Sequence, residues 1–198
     1  MEQNIKYKSI INHLNNQSNI IAYVDEVGRG AMFGELIACC LIIKNPFFHP
    51  LINDSKKLSS KQRQSLIPII IQNSIYNYGL VSVNEINSIN NLDTSNELAM
   101  IRALNGLSKT ANILFLDGNK KINHPIKQIP VIKGDSQIFG IACASILAKE
   151  YRDSILLEYD KQFPNYHLAS HKGYLTKLHK EAIQKHGITK LHRNYNLK

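Results

Sequence analysis

Hydrophobic positions in this chain form short continuous runs that are separated by amphipathic stretches. Short apolar runs bounded by turn-forming residues are typical of buried strands. Such runs occur at positions 20–25, 36–43 and 113–117, and an alternating pattern over 75–83 predicts a further strand. The glycine-rich turn between the first two runs predicts a hairpin, and the first and last runs end in the acids Asp25 and Asp117.

Helical periodicity predicts helices between and after these strands, over residues 59–73, 94–107, 136–162 and 174–186. Ser59 is a suitable N-cap for the first helix, the segment from Thr94 to Glu97 fits a capping box for the second, and Gly187 is a stop signal for the last. Strands followed by a helix and another strand predict the α/β class with a mixed sheet.

The chain of 198 residues is long enough for one domain, and no internal repeat, low-complexity tract or flexible linker divides it. We therefore expect a single domain over 1–198. Its α/β core is expected at about 18–165, and a helical C-terminal portion at about 166–198 is expected to pack on that core.

The charge balance is strongly basic, with 24 Lys and Arg residues against 15 Asp and Glu residues and an isoelectric point near 9.4. A positive surface suits a polyanionic partner, but ribosomal and membrane-surface proteins are equally basic. The N-terminus lacks a signal-peptide pattern, and the apolar runs are too short to span a membrane. The three cysteines lie among apolar residues, as buried free thiols do. We expect a soluble, cytoplasmic monomer.

The first candidate site is the end of the first apolar run, where Asp25 and Glu26 are followed by Gly28, Arg29 and Gly30. A buried carboxylate is costly unless it is paired, and a metal ion is one suitable partner. The glycines let the backbone approach a ligand closely, and an arginine matches phosphate geometry. The alternative is a hairpin turn with an acidic pair on the surface.

Two further acids could join this pair. Asp117 also ends an apolar run, although an aspartate before Gly118 is equally typical of a turn. In the predicted helix over 136–162, Asp153 falls within about 20° of Ala142 and Ile146, on an apolar stripe. Lys149, one turn earlier, is either an i,i+4 ion-pair partner of Asp153 or part of the site.

These four acids can converge only if the helix packs across the sheet. Four carboxylates in one place repel each other unless divalent cations are bound, and all-oxygen ligands suit Mg²⁺ or Mn²⁺ rather than zinc. Beside a basic surface, such a cluster is the arrangement used for phosphodiester cleavage with two metal ions.

Several motifs occur together in one order and spacing: Asp25-Glu26-x-Gly28-Arg29-Gly30, Asp54-Ser55-Lys56-Lys57-Leu58, Leu116-Asp117-Gly118-Asn119, Lys133-Gly134-Asp135-Ser136, Ala144-Ser145-Ile146-Leu147-Ala148-Lys149 with Arg152-Asp153, and His171-Lys172-Gly173-Tyr174-x-Thr176. In this order the chain closely resembles ribonuclease HII over about 20–192. The resemblance implies an RNase H-like mixed sheet flanked by helices, with a C-terminal helical extension.

The resemblance also implies an activity. The chain is expected to hydrolyse the RNA strand of RNA/DNA hybrids and to incise duplex DNA on the 5′ side of single embedded ribonucleotides, leaving 3′-hydroxyl and 5′-phosphate ends. An RNase HIII-like or resolvase-like metal-dependent nuclease of the same fold class is the alternative. A nucleic-acid-binding protein without catalysis is a third possibility, which the complete acid set disfavours.

Site residues are carried over by position. Asp25, Glu26, Asp117 and Asp153 match the metal-binding acids, which implies two Mg²⁺ or Mn²⁺ ions. Gly28, Arg29 and Gly30 match the loop that contacts the ribose 2′-hydroxyl, and Tyr174 matches the tyrosine that stacks on the following sugar. The remaining positions expected to bind substrate are lysines: Lys56, Lys149 and Lys172.

Departures from the family pattern are few. Ala31 stands where the family usually has proline after the Gly-Arg-Gly sequence, so we expect a less rigid loop. His192-Arg193-Asn194-Tyr195 replaces a more usual pattern, which puts phosphate contacts there in doubt. His167 and His171 have the i,i+4 spacing of a metal pair, but a loop on the nucleic-acid face fits their neighbours better.

Overall fold

A five-stranded mixed sheet forms the centre of the protein, whose structure, a computed structural model, describes residues 18–52 and 57–194. The strands are β1 (Ile21–Val27), β2 (Leu36–Ile43), β3 (Ser74–Val81), β4 (Ile113–Asp117) and β5 (Lys127–Val131). Their order is β3-β2-β1-β4-β5. The pairs β1–β2 and β2–β3 are antiparallel, and β1–β4 and β4–β5 are parallel. The predicted α/β class and the predicted hairpin are confirmed.

Helices cover both faces of this sheet and extend beyond its C-terminal end. They are α1 (Ser60–Asn73), α2 (Val83–Ile89), α3 (Leu92–Asn105), α4 (Phe139–Gln162), α5 (Leu168–His171) and α6 (Lys177–His186). Short 3₁₀ turns precede α4 at Gly134–Ser136 and follow it at Pro164–Tyr166.

Alternation along the strands separates two cores. Tyr23 and Phe115 point to one face of the sheet, where they pack with apolar residues of α1 and α4. Val24 and Leu116 point to the other face and pack with α2 and α3. The long helix α4 therefore lies across the sheet, which is the packing that the predicted approach of Asp153 to the other acids requires.

Two helix ends follow the predicted chemistry. Ser59 caps α1 in a complete capping box with Gln62, and Gly187 follows the last residue of α6. The predicted capping box at Thr94 is wrong, because α3 already begins at Leu92 and Asn91 is its N-cap, with its side chain accepting from the Thr94 N–H.

Two elements have no counterpart in the sequence-based prediction. The third strand ends at Val81, and Val83 starts α2 behind a capping box formed by Ser82 and Glu85. Strand β5 contains Pro130 and an exposed lysine at its start, which is characteristic of an edge strand rather than an apolar run. The capping box of α2 is a local signal that the sequence-based prediction did not use, whereas the proline-containing β5 is set by its tertiary pairing with β4.

The C-terminal portion has its own small core. Phe33, from the loop between β1 and β2, packs there with Leu156 of α4, Tyr166 and Leu168. This core joins the first hairpin, α4 and the C-terminal helices. The boundary at residue 165 stays a prediction, as does the placement of residues 1–17, which lie outside the described residues.

Buried histidines line the same region. His179 and His192 are almost fully buried, and their Nε2 atoms are 3.3 Å apart. Burial is the main reason that the pKa of each falls from 6.5 to about 4. Both side chains therefore remain neutral in the folded protein near neutral pH.

This burial predicts a loss of stability in acid. Below pH 6.5 His179 and His192 become protonated in the unfolded chain but stay neutral in the folded protein. The free energy of unfolding should therefore fall as pH drops towards 4 and then level off. The melting temperature of the wild type should therefore drop more steeply with acidification than that of His179→Gln, by roughly 2–4 °C for each kcal/mol of difference. His167→Gln, at an exposed position, is the control. Parallel pH curves for wild type and His179→Gln would contradict the role of histidine burial.

No helix among residues 18–52 and 57–194 is both long enough and apolar enough to cross a membrane.

Candidate active site

Three of the predicted acids meet at the ends of the central strands. One carboxylate oxygen each from Asp25, Glu26 and Asp117 lies within 4.8 Å of the other two. Asp25 and Glu26 belong to β1, and Asp117 is the last residue of β4. The parallel register aligns Val24 with Leu116, so the next residues on the two strands, Asp25 and Asp117, are neighbours at one edge.

Each acid has a partner from the element packed against it. Asp25 accepts hydrogen bonds from the Ser145 hydroxyl of α4 and from the Glu26 N–H, the latter at 2.7 Å. The Asn96 amide of α3 donates to Glu26. Asp117 accepts from the Gly134 N–H at 2.6 Å. Helices on both faces of the sheet thus orient the cluster.

The electrostatics of the cluster are unfavourable in the absence of cations. Burial raises the pKa of Asp25 well above its usual range, and the charges of Glu26 and Asp117 raise it further. The pKa of Glu26 is raised for the same two reasons, burial and the charge of Asp117. Hydrogen bonds from Ser145 and Asn96 oppose these shifts without cancelling them.

The donor set therefore fits a hard divalent cation. Carboxylate oxygens in close proximity are the ligands preferred by Mg²⁺ and Mn²⁺, and a bound cation would remove the mutual repulsion of the acids. Because two of the three side chains remain partly exposed, the site can be reached from solvent.

A cleft of about 230 Å³ opens beside the acids. Glu26 and Asp117 line one part of it, and Arg29, Asp93 and Lys120 line another. The Arg29 guanidinium pairs with the Asp93 carboxylate, which also accepts from Lys120 at 2.9 Å. The cationic side of the cleft is thus held together by one exposed aspartate.

Asp153, the fourth predicted acid, has cationic side chains as its partners. It is buried on the inner face of α4, as its helical position predicted. Its two oxygens pair with Lys149 at 2.6 Å and Arg63 at 3.5 Å, and it is not a member of the group formed by the other three acids. A buried carboxylate held by two cations has its charge balanced without a metal. Its role as a metal ligand stays a prediction.

Asp135 is an acid that the sequence-based assignment left out. It is buried in the 3₁₀ turn after β5, directly after Gly134, whose N–H binds the Asp117 carboxylate. The signal was present in the sequence, because Asp135 belongs to the Lys133-Gly134-Asp135-Ser136 motif. A buried acid in a turn bonded to Asp117 is a second candidate for the fourth position.

The loop over residues 28–30, the Gly-Arg-Gly loop, lies next to the acids. The backbone φ angle of Gly28 is +86°, in the left-handed region that favours glycine. The Ala31 N–H donates to the Gly28 carbonyl at 3.2 Å. Arg29 and Gly30 are exposed. Buried Arg193 donates to the Gly28 carbonyl, and buried arginines also hold the carbonyls of residues 33–35 just after the loop, so the loop is supported although residue 31 is not proline.

The structure also places the remaining predicted substrate-binding residues. Tyr174 is 37% exposed and pairs through its backbone with Ala31, so it lies beside the Gly-Arg-Gly loop. Lys172 is partly buried, and its amino group donates to the Ala169 carbonyl at 2.6 Å. Lys149 forms the predicted ion pair with Asp153. Lys56 lies outside the described residues.

The other sequence motifs have structural roles. Both ring nitrogens of His171 bond to backbone groups, of Tyr166 at 2.8 Å and Gly173 at 3.2 Å, so a metal pair with exposed His167 is disfavoured. Arg193 is fully buried and donates to the Gly34 and Gly28 carbonyls, both at 2.7 Å. It supports the Gly-Arg-Gly loop from inside the protein.

Known proteins share much of this sequence. The sequence model of the family Ribonuclease HII matches residues 22–196. Ribonuclease HII of Mycoplasma mycoides subsp. mycoides is 46% identical over 171 residues, which are 85% of this chain and 82% of that protein.

Solved structures of two related nucleases have the same fold as this chain. The ribonuclease H2 of Pyrococcus horikoshii has a TM-score of 0.72 at 21% identity, covering 87% of this chain and 92% of that one. RNase HII of Archaeoglobus fulgidus, solved in complex with PCNA, has a TM-score of 0.75 at 20% identity, covering 90% and 95%. These matches extend over nearly the whole chain, so the chain belongs to the ribonuclease HII family.

Proposed function

We propose that this protein is an endoribonuclease that hydrolyses the RNA strand of RNA/DNA hybrids and incises duplex DNA on the 5′ side of single ribonucleotides. The products carry 3′-hydroxyl and 5′-phosphate ends. The observation that carries the proposal is the meeting of Asp25, Glu26 and Asp117 beside the Gly-Arg-Gly loop and Tyr174, in a chain of net charge +9. We further propose that it acts as a monomer.

Asp25, Glu26 and Asp117 are proposed to hold Mg²⁺ or Mn²⁺, with two ions in the active complex. When bound, these ions supply activation of the attacking water and stabilisation of the leaving oxygen. The chain's own contribution is to fix the carboxylates: Ser145 and Asn96 orient Asp25 and Glu26, and the Gly134 N–H orients Asp117.

For the fourth acid the chain offers two candidates, Asp153 and Asp135. Asp153 matches the sequence-based assignment, but it is bonded to Lys149 and Arg63. Asp135 adjoins the Gly134 N–H that holds Asp117, so the backbone already ties it to the cluster. We favour Asp135 as the ligand and Asp153 as the acid of a structural ion-pair network that also includes Glu150.

Substrate selection is assigned to backbone groups and one aromatic ring. A 2′-hydroxyl is both donor and acceptor, so the exposed backbone of the Gly-Arg-Gly loop can bind it without reading the base. Tyr174 is exposed beside that loop and is available to stack on the following sugar. Phosphate binding is assigned to basic residues: Arg29, Lys56, Lys57, Lys149 and Lys172.

The proposal predicts a specific product. A duplex DNA with one embedded ribonucleotide should be nicked once, on the 5′ side of that ribonucleotide, in the presence of Mg²⁺ or Mn²⁺. A duplex of the same sequence made only of deoxyribonucleotides should remain intact, since it lacks the 2′-hydroxyl. Denaturing electrophoresis of an end-labelled strand gives both the position and the extent of cleavage.

A long RNA/DNA hybrid is the second substrate, and wild-type protein with chelator is the control. Cutting of the all-DNA duplex at a comparable rate would indicate a different nuclease of the same fold. Binding without cutting of any substrate, with either metal, would contradict enzymatic function.

A further inference from the structure

Arg152 connects the Gly-Arg-Gly loop and the Tyr174 segment, the two parts of the proposed ribose-recognition surface, from the protein interior. Its side chain is fully buried in α4. The guanidinium Nε donates to the Glu35 carbonyl at 3.1 Å and Nη2 donates to the Phe33 carbonyl at 2.9 Å. Both acceptors belong to the segment that follows the Gly-Arg-Gly loop, so one side chain fixes the backbone at the C-terminal end of that loop.

The same guanidinium also contacts the segment that carries Tyr174. Nη1 donates to the Lys172 carbonyl at 2.8 Å, and the guanidinium carbon lies 5.7 Å from the centroid of the Tyr174 ring. A cation at this distance from an aromatic face is attracted to it. Arg152 therefore donates to backbone carbonyls on both sides of the recognition surface and also contacts the Tyr174 ring.

The loop itself rests directly on Arg152. A Cβ placed on Gly28 would lie 2.2 Å from the Arg152 Nε, which means that the Gly28 backbone is packed against the guanidinium. The residues just after the loop also bond to the Tyr174 segment, since the Met32 N–H donates to the Gly173 carbonyl at 2.8 Å. Any shift of Arg152 would move both segments.

The three hydrogen bonds of Arg152 all go to carbonyl oxygens. Carbonyls satisfy the donors, but they do not neutralise the buried charge, and burial lowers the pKa of Arg152 to about 10. A hydrophobic residue of similar size would avoid this cost. Holding several carbonyls in fixed positions requires the planar fork of a guanidinium.

We propose that Arg152 is a positioning residue for ribose recognition, which sets the distance between the Gly-Arg-Gly loop and the Tyr174 ring and thereby the preference for a ribose followed by a deoxyribose. This inference rests on the proposed function. The hydrogen bonds of Arg152 go to carbonyls of the segments that flank the recognition surface and not to the three clustered acids, so its effect is on which substrate is accepted rather than on bond cleavage.

The test compares two substrates in Arg152→Lys and Arg152→Gln. We expect kcat/KM on the single-ribonucleotide duplex to fall about tenfold to a hundredfold, and that on a long RNA/DNA hybrid to fall less, because many registers are available there. Arg152→Lys keeps the charge without the fork and should be milder than Arg152→Gln. Tyr174→Ala provides the reference phenotype for lost junction preference.

A second measurement does not depend on activity. The Arg29–Gly30 bond is in the exposed part of the loop, so limited trypsin digestion followed by mass spectrometry reports how firmly the loop is held. We expect faster cleavage after Arg29 in both Arg152 variants. Arg102→Lys is the matched control, since Arg102 binds Glu85 and the Leu80 carbonyl on the far side of the sheet.

The outcomes separate the two proposals. The role of Arg152 would be overturned if its variants lost kcat/KM equally on both substrates, which leaves the substrate ratio unchanged. It would also be overturned if both variants lost cooperative melting, because Arg152 would then be required for folding and not for recognition. Wild-type protein that nicks neither substrate would instead overturn the proposed function. Trypsin cleavage would then still decide whether Arg152 holds the loop.

Discussion

Asp117→Asn is expected to lower kcat on the single-ribonucleotide duplex by about a hundredfold or more. Substitution of a residue that only orients a metal ligand already lowers activity by up to about a hundredfold, and Asp117 is proposed to be a ligand itself. The side-chain shape is kept, and the Gly134 N–H still finds an acceptor at this position. The loss would therefore reflect the missing charge. Calorimetric titration with Mn²⁺ should show weaker binding, which provides a readout besides activity.

The same substitution should stabilise the protein in chelator at neutral pH. The charge of Asp117 raises the pKa of both Asp25 and Glu26, so ionisation of these groups opposes folding. For an acid with a raised pKa, stability is greatest below the unfolded pKa and falls as pH rises through the folded pKa. Removing one charge reduces that fall, with a gain in melting temperature of roughly 2–4 °C per kcal/mol.

Parallel variants test the fourth acid. Asp135→Asn should reduce activity and Mn²⁺ affinity with little loss of stability, whereas Asp153→Asn should mainly lower the melting temperature by leaving Lys149 and Arg63 underpaired. Asp160→Asn, at a position that binds the Ala169 N–H, is the control for the chemical change itself. The opposite pattern would return the ligand role to Asp153, and full activity of Asp117→Asn would refute the metal assignment.

Gly28→Ala is expected to be the most damaging small substitution near the site. At φ +86 an L-residue is strained, which costs about 1–2 kcal/mol, and the new Cβ would meet Arg152, which adds about 1–3 kcal/mol of overpacking. The melting temperature should fall by roughly 2–4 °C for each kcal/mol lost, and activity on the single-ribonucleotide duplex should fall with it.

Gly30→Ala is the matched control for stability. No heavy atom lies within 4 Å of a Cβ built at Gly30, and its φ lies outside the left-handed region. Its melting temperature should equal that of the wild type. If Gly28→Ala melts as the wild type does, the close packing of the loop on Arg152 is wrong, and with it the physical basis of the positioning role.

Much of the fold and part of the site followed from local sequence. Apolar runs of strand length predicted β1, β2 and β4, because a strand that is buried on both faces is hydrophobic at successive positions, and an alternating pattern predicted β3. Ser59 and Gly187 marked helix ends because cap chemistry is local. Asp25 and Asp117 were recognised because a carboxylate at the end of a buried run needs a partner for its charge, and parallel pairing then brought the two together.

Only the tertiary structure decided which distant groups meet. A helical position placed Asp153 on a buried face, but burial alone does not distinguish a metal ligand from an ion-pair partner, and Arg63 comes from another helix. Arg152 and Arg193 both occur in motifs of the sequence, but the motifs did not show what these side chains bind, since an arginine is usually at the surface and the carbonyls they bind are present at every residue. Their roles depend on a loop and a C-terminal segment that are far apart in the chain and adjacent in the fold.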